Sequence, residues 1–94
     1  FPDMSFKDDI IRTANEVEGV SHVDVIGMHR FGPYFIININ IGVEGEMTIR
    51  HGHTIADEVE KALLSKYSMS LKKVHVHFHP TEFCVYHNPP PSEK

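Results

Sequence analysis

The sequence predicts an α+β domain with the element order α-β-β-α-β, in which two helices pack on one face of a three-stranded sheet. Two segments repeat their apolar residues with helical spacing, and three others alternate apolar and polar residues. Glycine, proline or polar turns separate these segments. A length of 94 residues fits a single domain.

The first helix is predicted over residues 6–18. Four of its apolar residues fall on one helical face: Phe6, Ile10, Ala14 and Val17. Ser5 is expected to cap the amino terminus, because its hydroxyl can accept a hydrogen bond from a free backbone N–H group. Gly19 is expected to end the helix, because glycine readily adopts the left-handed backbone conformation that follows many helices.

The first strand is predicted within residues 20–30, although its pattern is irregular. Val23 and Val25 alternate with polar residues, but Ile26 directly follows Val25 and breaks the period of two. A buried carboxylate without a partner would be costly, which favours an outward-facing Asp24. The same irregularity leaves open a position beside a β-bulge for this residue.

The second strand, YFIININIGV at 34–43, follows an FGP turn at 31–33. Its odd-numbered positions from 35 to 43 are apolar and predict a face toward the core.

Residues 48–66 predict the second helix, with Thr48 as its cap. Four apolar residues recur with helical spacing, at offsets of 0, 4, 7 and 8 from the first, and form one face of this helix: Ile55, Val59, Ala62 and Leu63. A polar connection at 67–71 leads to the third strand.

The third strand, VHVHFHP at 74–80, carries a histidine at every second position. Its apolar residues are expected to face the core: Val74, Val76 and Phe78. Its three histidines then face the opposite side: His75, His77 and His79. Same-face neighbours on a strand lie about 7 Å apart, so two imidazoles can bind one metal ion. The alternative is a solvated face on which histidine is only a polar residue.

Three segments together resemble the cytosolic C-terminal domain of cation diffusion facilitator transporters: GVSHVDVIGMHRFGPYFIININI, HGHTIADEVEKALL and KKVHVHFHP. The resemblance covers residues 6–82 and implies a ferredoxin-like, metallochaperone-like fold that forms homodimers and binds regulatory metal ions. It also implies that a transmembrane cation/proton exchanger of the same transporter precedes the chain. The chain is then expected at the cytoplasmic side of the membrane, as the soluble tail of an integral membrane transporter.

The resemblance also implies a set of metal ligands by position: Asp24, His53, His77 and His79. His53 matches a helix histidine of the family, and His77 matches the ligand of the closing strand. His79 stands where relatives often have aspartate, which keeps a ligand but removes a negative charge. Asp24 stands where the first strand often has histidine, and Asn40 replaces a histidine of the second strand. The expected ion is a divalent transition metal, foremost Zn²⁺.

Other residues with metal-binding groups are less specific signals. His75 is either a ligand of a site shared in a dimer or a solvated side chain. His51 and His53 project about 200° apart on a helix, so they do not bind the same ion. Cys84 and His87 form a C-x-x-H pair, which alone is a weak indication of soft-metal binding.

The predicted function is therefore a cytosolic regulatory domain that binds Zn²⁺-like ions and dimerises to control divalent metal cation efflux. A stand-alone ferredoxin-like metal carrier is the alternative, although familiar carriers use a C-x-x-C motif that this chain lacks. An enzyme is not expected, since the chain has no HExxH, glycine-rich phosphate loop or Ser-His-Asp pattern.

Composition argues against nucleic-acid binding and against insertion into a membrane. The formal net charge is −4 with neutral histidine, and Lys and Arg are scattered along the sequence, which does not indicate a nucleic-acid-binding surface. No segment reaches the roughly 18 apolar residues of a membrane span, so direct membrane insertion is not expected.

The domain is predicted to span residues 1–87. The segment NPPPSEK at 88–94 is predicted to be a disordered proline-rich tail, since it lacks the apolar periodicity needed for packing. Cys84 is the only cysteine, which excludes an intramolecular disulfide and fits a reducing compartment.

Overall fold

The computed structural model describes residues 2–82 of the chain. Its elements are α1 (Pro2–Asn15), β1 (His22–Phe31), β2 (Tyr34–Val43), α2 (Ile49–Lys66) and β3 (Leu71–Pro80). This order confirms the predicted α-β-β-α-β arrangement of an α+β domain. The predicted roles of Cys84 and His87, the domain boundary at residue 87 and the tail at 88–94 lie outside the described residues.

The three strands form one sheet in the order β1-β2-β3, with β2 in the centre. β1 and β2 are antiparallel and joined by a two-residue turn, in which Gly32 has a φ of +61°. β2 and β3 are parallel, so the chain must cross from one end of the sheet to the other between them. Helix α2 makes this crossing and lies against β3.

The core lies between the two helices and one face of the sheet. β2 contributes its fully buried isoleucines, as its alternation predicts: Ile37, Ile39 and Ile41. The helices contribute the largest share of the remaining buried side chains: Ile10, Ala14, Ile55, Ala56, Val59 and Leu63. At Gly52, an added Cβ would lie 2.5 Å from the Phe78 ring, so glycine permits the close approach of α2 to β3.

The bounds of α1 differ from the prediction. The helix begins at Pro2, so Ser5 lies inside it and is not its N-cap. Proline suits a first turn because its missing N–H group would have no helical partner there. The helix ends at Asn15, earlier than predicted, because Glu16 and Val17 donate to carbonyls only three residues back and tighten the chain into turns.

The bounds of α2 agree closely with the prediction. The Thr48 hydroxyl accepts a hydrogen bond from the backbone N–H of His51 at 3.0 Å, which confirms the predicted cap. The helix ends at Lys66, and the Tyr67 N–H bonds to the Leu63 carbonyl at 2.9 Å. The connection to β3 is therefore a short turn over residues 67–70.

A β-bulge between Val25 and Gly27 resolves the irregular pattern of β1. Ile26 is the extra residue, and 52% of its surface is exposed. Before the bulge, Val23 is buried and Val25 packs against the core, so Asp24 faces away from the helices. After the bulge, Met28 instead lies on the core side, opposite Ile37.

One polar contact joins the two helices inside the core. Thr13 is a buried polar residue, and its hydroxyl lies 3.0 Å from the Tyr67 hydroxyl. The Tyr67 hydroxyl also approaches the Asp9 carbonyl at 3.3 Å. The carboxyl end of α2 is thereby held against α1.

Replacing Tyr67 by phenylalanine should lower the free energy of unfolding by about 1 kcal/mol, since it removes the partner of the buried Thr13 hydroxyl. Urea unfolding followed by circular dichroism measures the change. Tyr34→Phe is the control, because the more exposed Tyr34 side chain lies away from this contact. Equal effects of the two substitutions would contradict the role of the Tyr67 hydroxyl.

Candidate metal-binding face

The sheet face opposite the helices carries the polar side chains of all three strands. Strand pairing aligns these side chains in rows that run across the sheet. One row consists of Asp24, Asn40 and His77, since Asp24 pairs with Asn40 and Asn40 pairs with His77. The structure thus brings together two of the predicted ligands from opposite edges of the sheet.

The row places a carboxylate and an imidazole on the two sides of the central strand. Neighbouring strands lie about 4.8 Å apart, so the Cα atoms of Asp24 and His77 are about 10 Å apart. The side chain between them is the neutral amide of Asn40, a poor ligand for zinc-like ions. His77 is exposed, whereas Asp24 and Asn40 are half-buried. Asp24 also takes part in a polar or electrostatic interaction.

A second row lies next to the first and consists of His22, Gly42 and His79. Gly42 contributes no side chain and is itself buried, and the two half-buried histidines flank it on the neighbouring strands. His79 is therefore a neighbour of His77 along β3 and a counterpart of His22 across the sheet. Sequence reasoning missed His22, although its spacing of two from Asp24 indicates the same face.

His53 lies apart from these two rows, because α2 packs on the other side of the sheet. Its Nδ1 atom is 3.5 Å from Oδ2 of Asp57, and both side chains are more than half exposed. His53 borders a groove of about 290 Å³ between α2 and β3, which His75 and His77 also line. The structure therefore places His53 near the free edge of β3 and separates it from Asp24 by the sheet.

Within residues 2–82, no three side chains of His, Cys, Asp or Glu converge closely enough to hold one ion. The four predicted ligands are thus divided between the outer face and the edge groove. His51 lies on another side of α2, where it borders a groove with Glu18 and Glu58.

Residues 2–81 match the family model described as "Cation efflux protein, cytoplasmic domain". The chain belongs to this family. Membership confirms the assignment that the three sequence segments indicated, including the cytoplasmic nature of the domain. Among the described residues, no helix is both long and apolar enough to cross a membrane.

A sequence relative and two solved structures agree with the family. Metal tolerance protein 7 of Oryza sativa subsp. japonica is 27% identical over 64 residues, which are 68% of this chain and only 16% of that protein. A single-residue variant of the MamM CTD in a manganese form is 25% identical, with a TM-score of 0.75 over 83% of this chain and 98% of that one. Another single-residue variant, in a nickel form, is 26% identical, with a TM-score of 0.74 over 82% of this chain and 96% of that one.

An Asn40→His substitution should strengthen Zn²⁺ binding by about tenfold or more, because it places a third ligand in line with Asp24 and His77. A gain of this size is a minimum, because substitution of residues that only hydrogen-bond to the metal ligands already changes metal affinity by about 10–100-fold. Isothermal titration calorimetry measures the affinity.

Asn38→His is the matched control. Asn38 also lies on the outer face of β2, but its partners are Gly27 and His75, so its row lacks the carboxylate that Asp24 supplies, although the His29 imidazole lies near Gly27. An equal gain in both variants would show that added histidines act independently of the row.

Proposed function

We propose that the chain is the regulatory, dimerising domain of a divalent-cation efflux transporter. It binds Zn²⁺-like ions through Asp24, His53, His77 and His79. The observation that carries the proposal is the alignment of Asp24 with His77 across the open face of the sheet, with His79 beside them. The transmembrane partner is the remainder of the same transporter.

The chemistry of the donor set supports a borderline transition metal. Imidazole suits Zn²⁺, Cu²⁺, Ni²⁺ and Fe²⁺, while a carboxylate also suits Mn²⁺. The MamM CTD has been solved in manganese and nickel forms, which supports divalent metal binding by this fold. Zn²⁺ is the preferred candidate because tetrahedral sites with three or four His and Asp ligands are typical of it.

A second copy of the chain can supply the donors that one chain lacks. His53 is exposed at the edge of β3, in a groove that His77 also lines, and a partner chain would present further donors there. A small domain with an uncovered sheet face also gains stability when a partner covers it.

The proposed regulation is a shift between two arrangements of the dimer. An ion that joins ligands from two protomers binds the compact arrangement more tightly than the loose one. It can shift the equilibrium only by this difference in affinity. The stand-alone metal carrier is the weaker candidate, because the matching family consists of domains of efflux proteins.

His77→Ala should weaken Zn²⁺ binding by about tenfold or more, whereas His75→Ala should have a smaller effect. His77 shares its row with Asp24, but His75 shares its row with Gly27 and Asn38. Calorimetric titration of wild type, His75→Ala, His77→Ala and His79→Ala at pH 7 tests this order. Equal affinities of all four proteins would indicate a solvated histidine face.

Lowering the pH from 7 to 5.5 should also weaken Zn²⁺ binding by the wild-type chain. Protons compete with the metal for imidazole nitrogens, whose ordinary pKa is about 6.5. Titrations across this interval measure the change, and an affinity that stays constant would argue against histidine ligands.

The isolated chain should be a homodimer at micromolar concentration, and zinc should change its stability or shape without being needed for folding. The apolar core that favours folding consists of side chains from α1, α2 and the sheet. Sedimentation equilibrium and circular dichroism, each with chelator and with zinc, provide the measurements. A 10.7 kDa species under both conditions would contradict dimerisation. A random-coil spectrum in chelator would instead indicate a structural zinc module.

A further inference from the structure

Two sets of segments, one at each end of the domain, differ in charge. Segments 29–36 and 63–73 contain four Lys or Arg residues and no Asp or Glu. The structure joins these segments at the hairpin end of the sheet, where the Phe35 N–H donates to the Ser70 carbonyl at 2.8 Å. Segments 16–24, 42–52 and 77–82 meet at the other end and contain six carboxylates and one arginine.

Exposed apolar side chains stand among the cations of the hairpin end. Phe31 and Tyr34 pair at the end of the β1–β2 hairpin and are 55% and 37% exposed. The Lys72 Nζ atom lies 5.7 Å from the Phe31 ring centroid and 5.8 Å from that of Tyr34. Met69, in the turn before β3, is 87% exposed. We call this surface the aromatic-basic tip, and it comprises Arg30, Phe31, Tyr34, Met69, Lys72 and Lys73.

We propose that the aromatic-basic tip contacts the headgroup layer of an anionic phospholipid membrane. Aromatic rings favour the depth of the headgroups, where one part of the ring is apolar and another meets water. Lysine and arginine near the cytoplasmic leaflet are attracted by its negative surface potential. The contact is peripheral and differs from a membrane-spanning segment.

Charge complementarity favours a lipid surface over a second copy of the chain. Two copies that met through their tips would bring Lys72 and Lys73 of both chains close together without a carboxylate from the tip. Among the described carboxylates, Glu60 borders the same groove as Lys73, and Asp9 of α1 is already paired with Arg12. A bilayer of anionic lipid supplies the missing negative charges.

Family membership is compatible with such a contact. A cytoplasmic domain of a cation efflux protein works close to a membrane, so even a weak contact acts at high effective concentration. The inference rests on the tip and on family membership, and it does not depend on metal binding by the outer face.

Vesicle flotation in the presence of a chelator tests the proposal. The chain is mixed with vesicles of phosphatidylcholine alone or of phosphatidylcholine with phosphatidylglycerol, at low ionic strength. It should float with the anionic vesicles only, and added salt should reduce the bound fraction. Lys72→Gln and Lys73→Gln should each lower the partition coefficient about fivefold, which corresponds to ~1 kcal/mol per cation at an anionic surface. Phe31→Ala should lower it as well.

Matched controls come from the opposite end of the domain. Arg50→Gln removes an exposed cation there, and Ile49→Ala removes an apolar side chain that is 82% exposed. Both should float like the wild type, and circular dichroism should show that all variants are folded.

Three results would overturn the proposal. One is the absence of flotation with anionic vesicles, and another is an equal loss of flotation in the tip and control variants. The third is a change in the monomer–dimer equilibrium of Phe31→Ala or Lys72→Gln without a change in flotation, which would make the tip an interface between copies. Zinc affinity should stay unchanged in the tip variants. A negative result in the flotation experiment would therefore not contradict the proposed metal-binding function.

Discussion

Burial of the central strand is the constraint on which the rest of the structure depends. Ile37, Ile39 and Ile41 have no exposed surface, and both helices pack against the sheet face that they occupy. Because side chains of a strand alternate between faces, this burial forces Asn38 and Asn40 onto the opposite face. The polar outer face is therefore a direct consequence of how the apolar core forms.

The same constraint determines which side chains can share an ion. A slip of one residue between β2 and β3 would bury His77 and expose Val76, so the core stabilises the register that aligns His77 with Asn40. On the other edge, the bulge at Ile26 lets Asp24 face outward while Met28 returns to the core. The row that carries the proposed function is thus maintained by apolar packing on the reverse side of the sheet.

The domain also has two chemically different ends. Histidines and carboxylates gather where β3 ends, while aromatic and basic side chains gather at the β1–β2 hairpin. The proposed metal-binding face and the aromatic-basic tip lie on one sheet but use separate residues. A proposed metal-binding side chain at one end can therefore be replaced without changing the aromatic and basic side chains at the other end.

Features that depend on local periodicity and family motifs could be predicted from the sequence. These are the element order, the bounds of β2, the Thr48 cap and the outward direction of His77, because their signals lie within a few neighbouring residues. Three features became visible only in the folded chain: His22 lies across Gly42 from His79, the sheet separates His53 from Asp24, and four basic residues from distant segments meet at the hairpin end. Strand register and helix placement bring distant segments together, and no local pattern encodes such distances. The start of α1 at Pro2 also escaped prediction, since Ser5 and Pro2 both carry signals for a helix beginning.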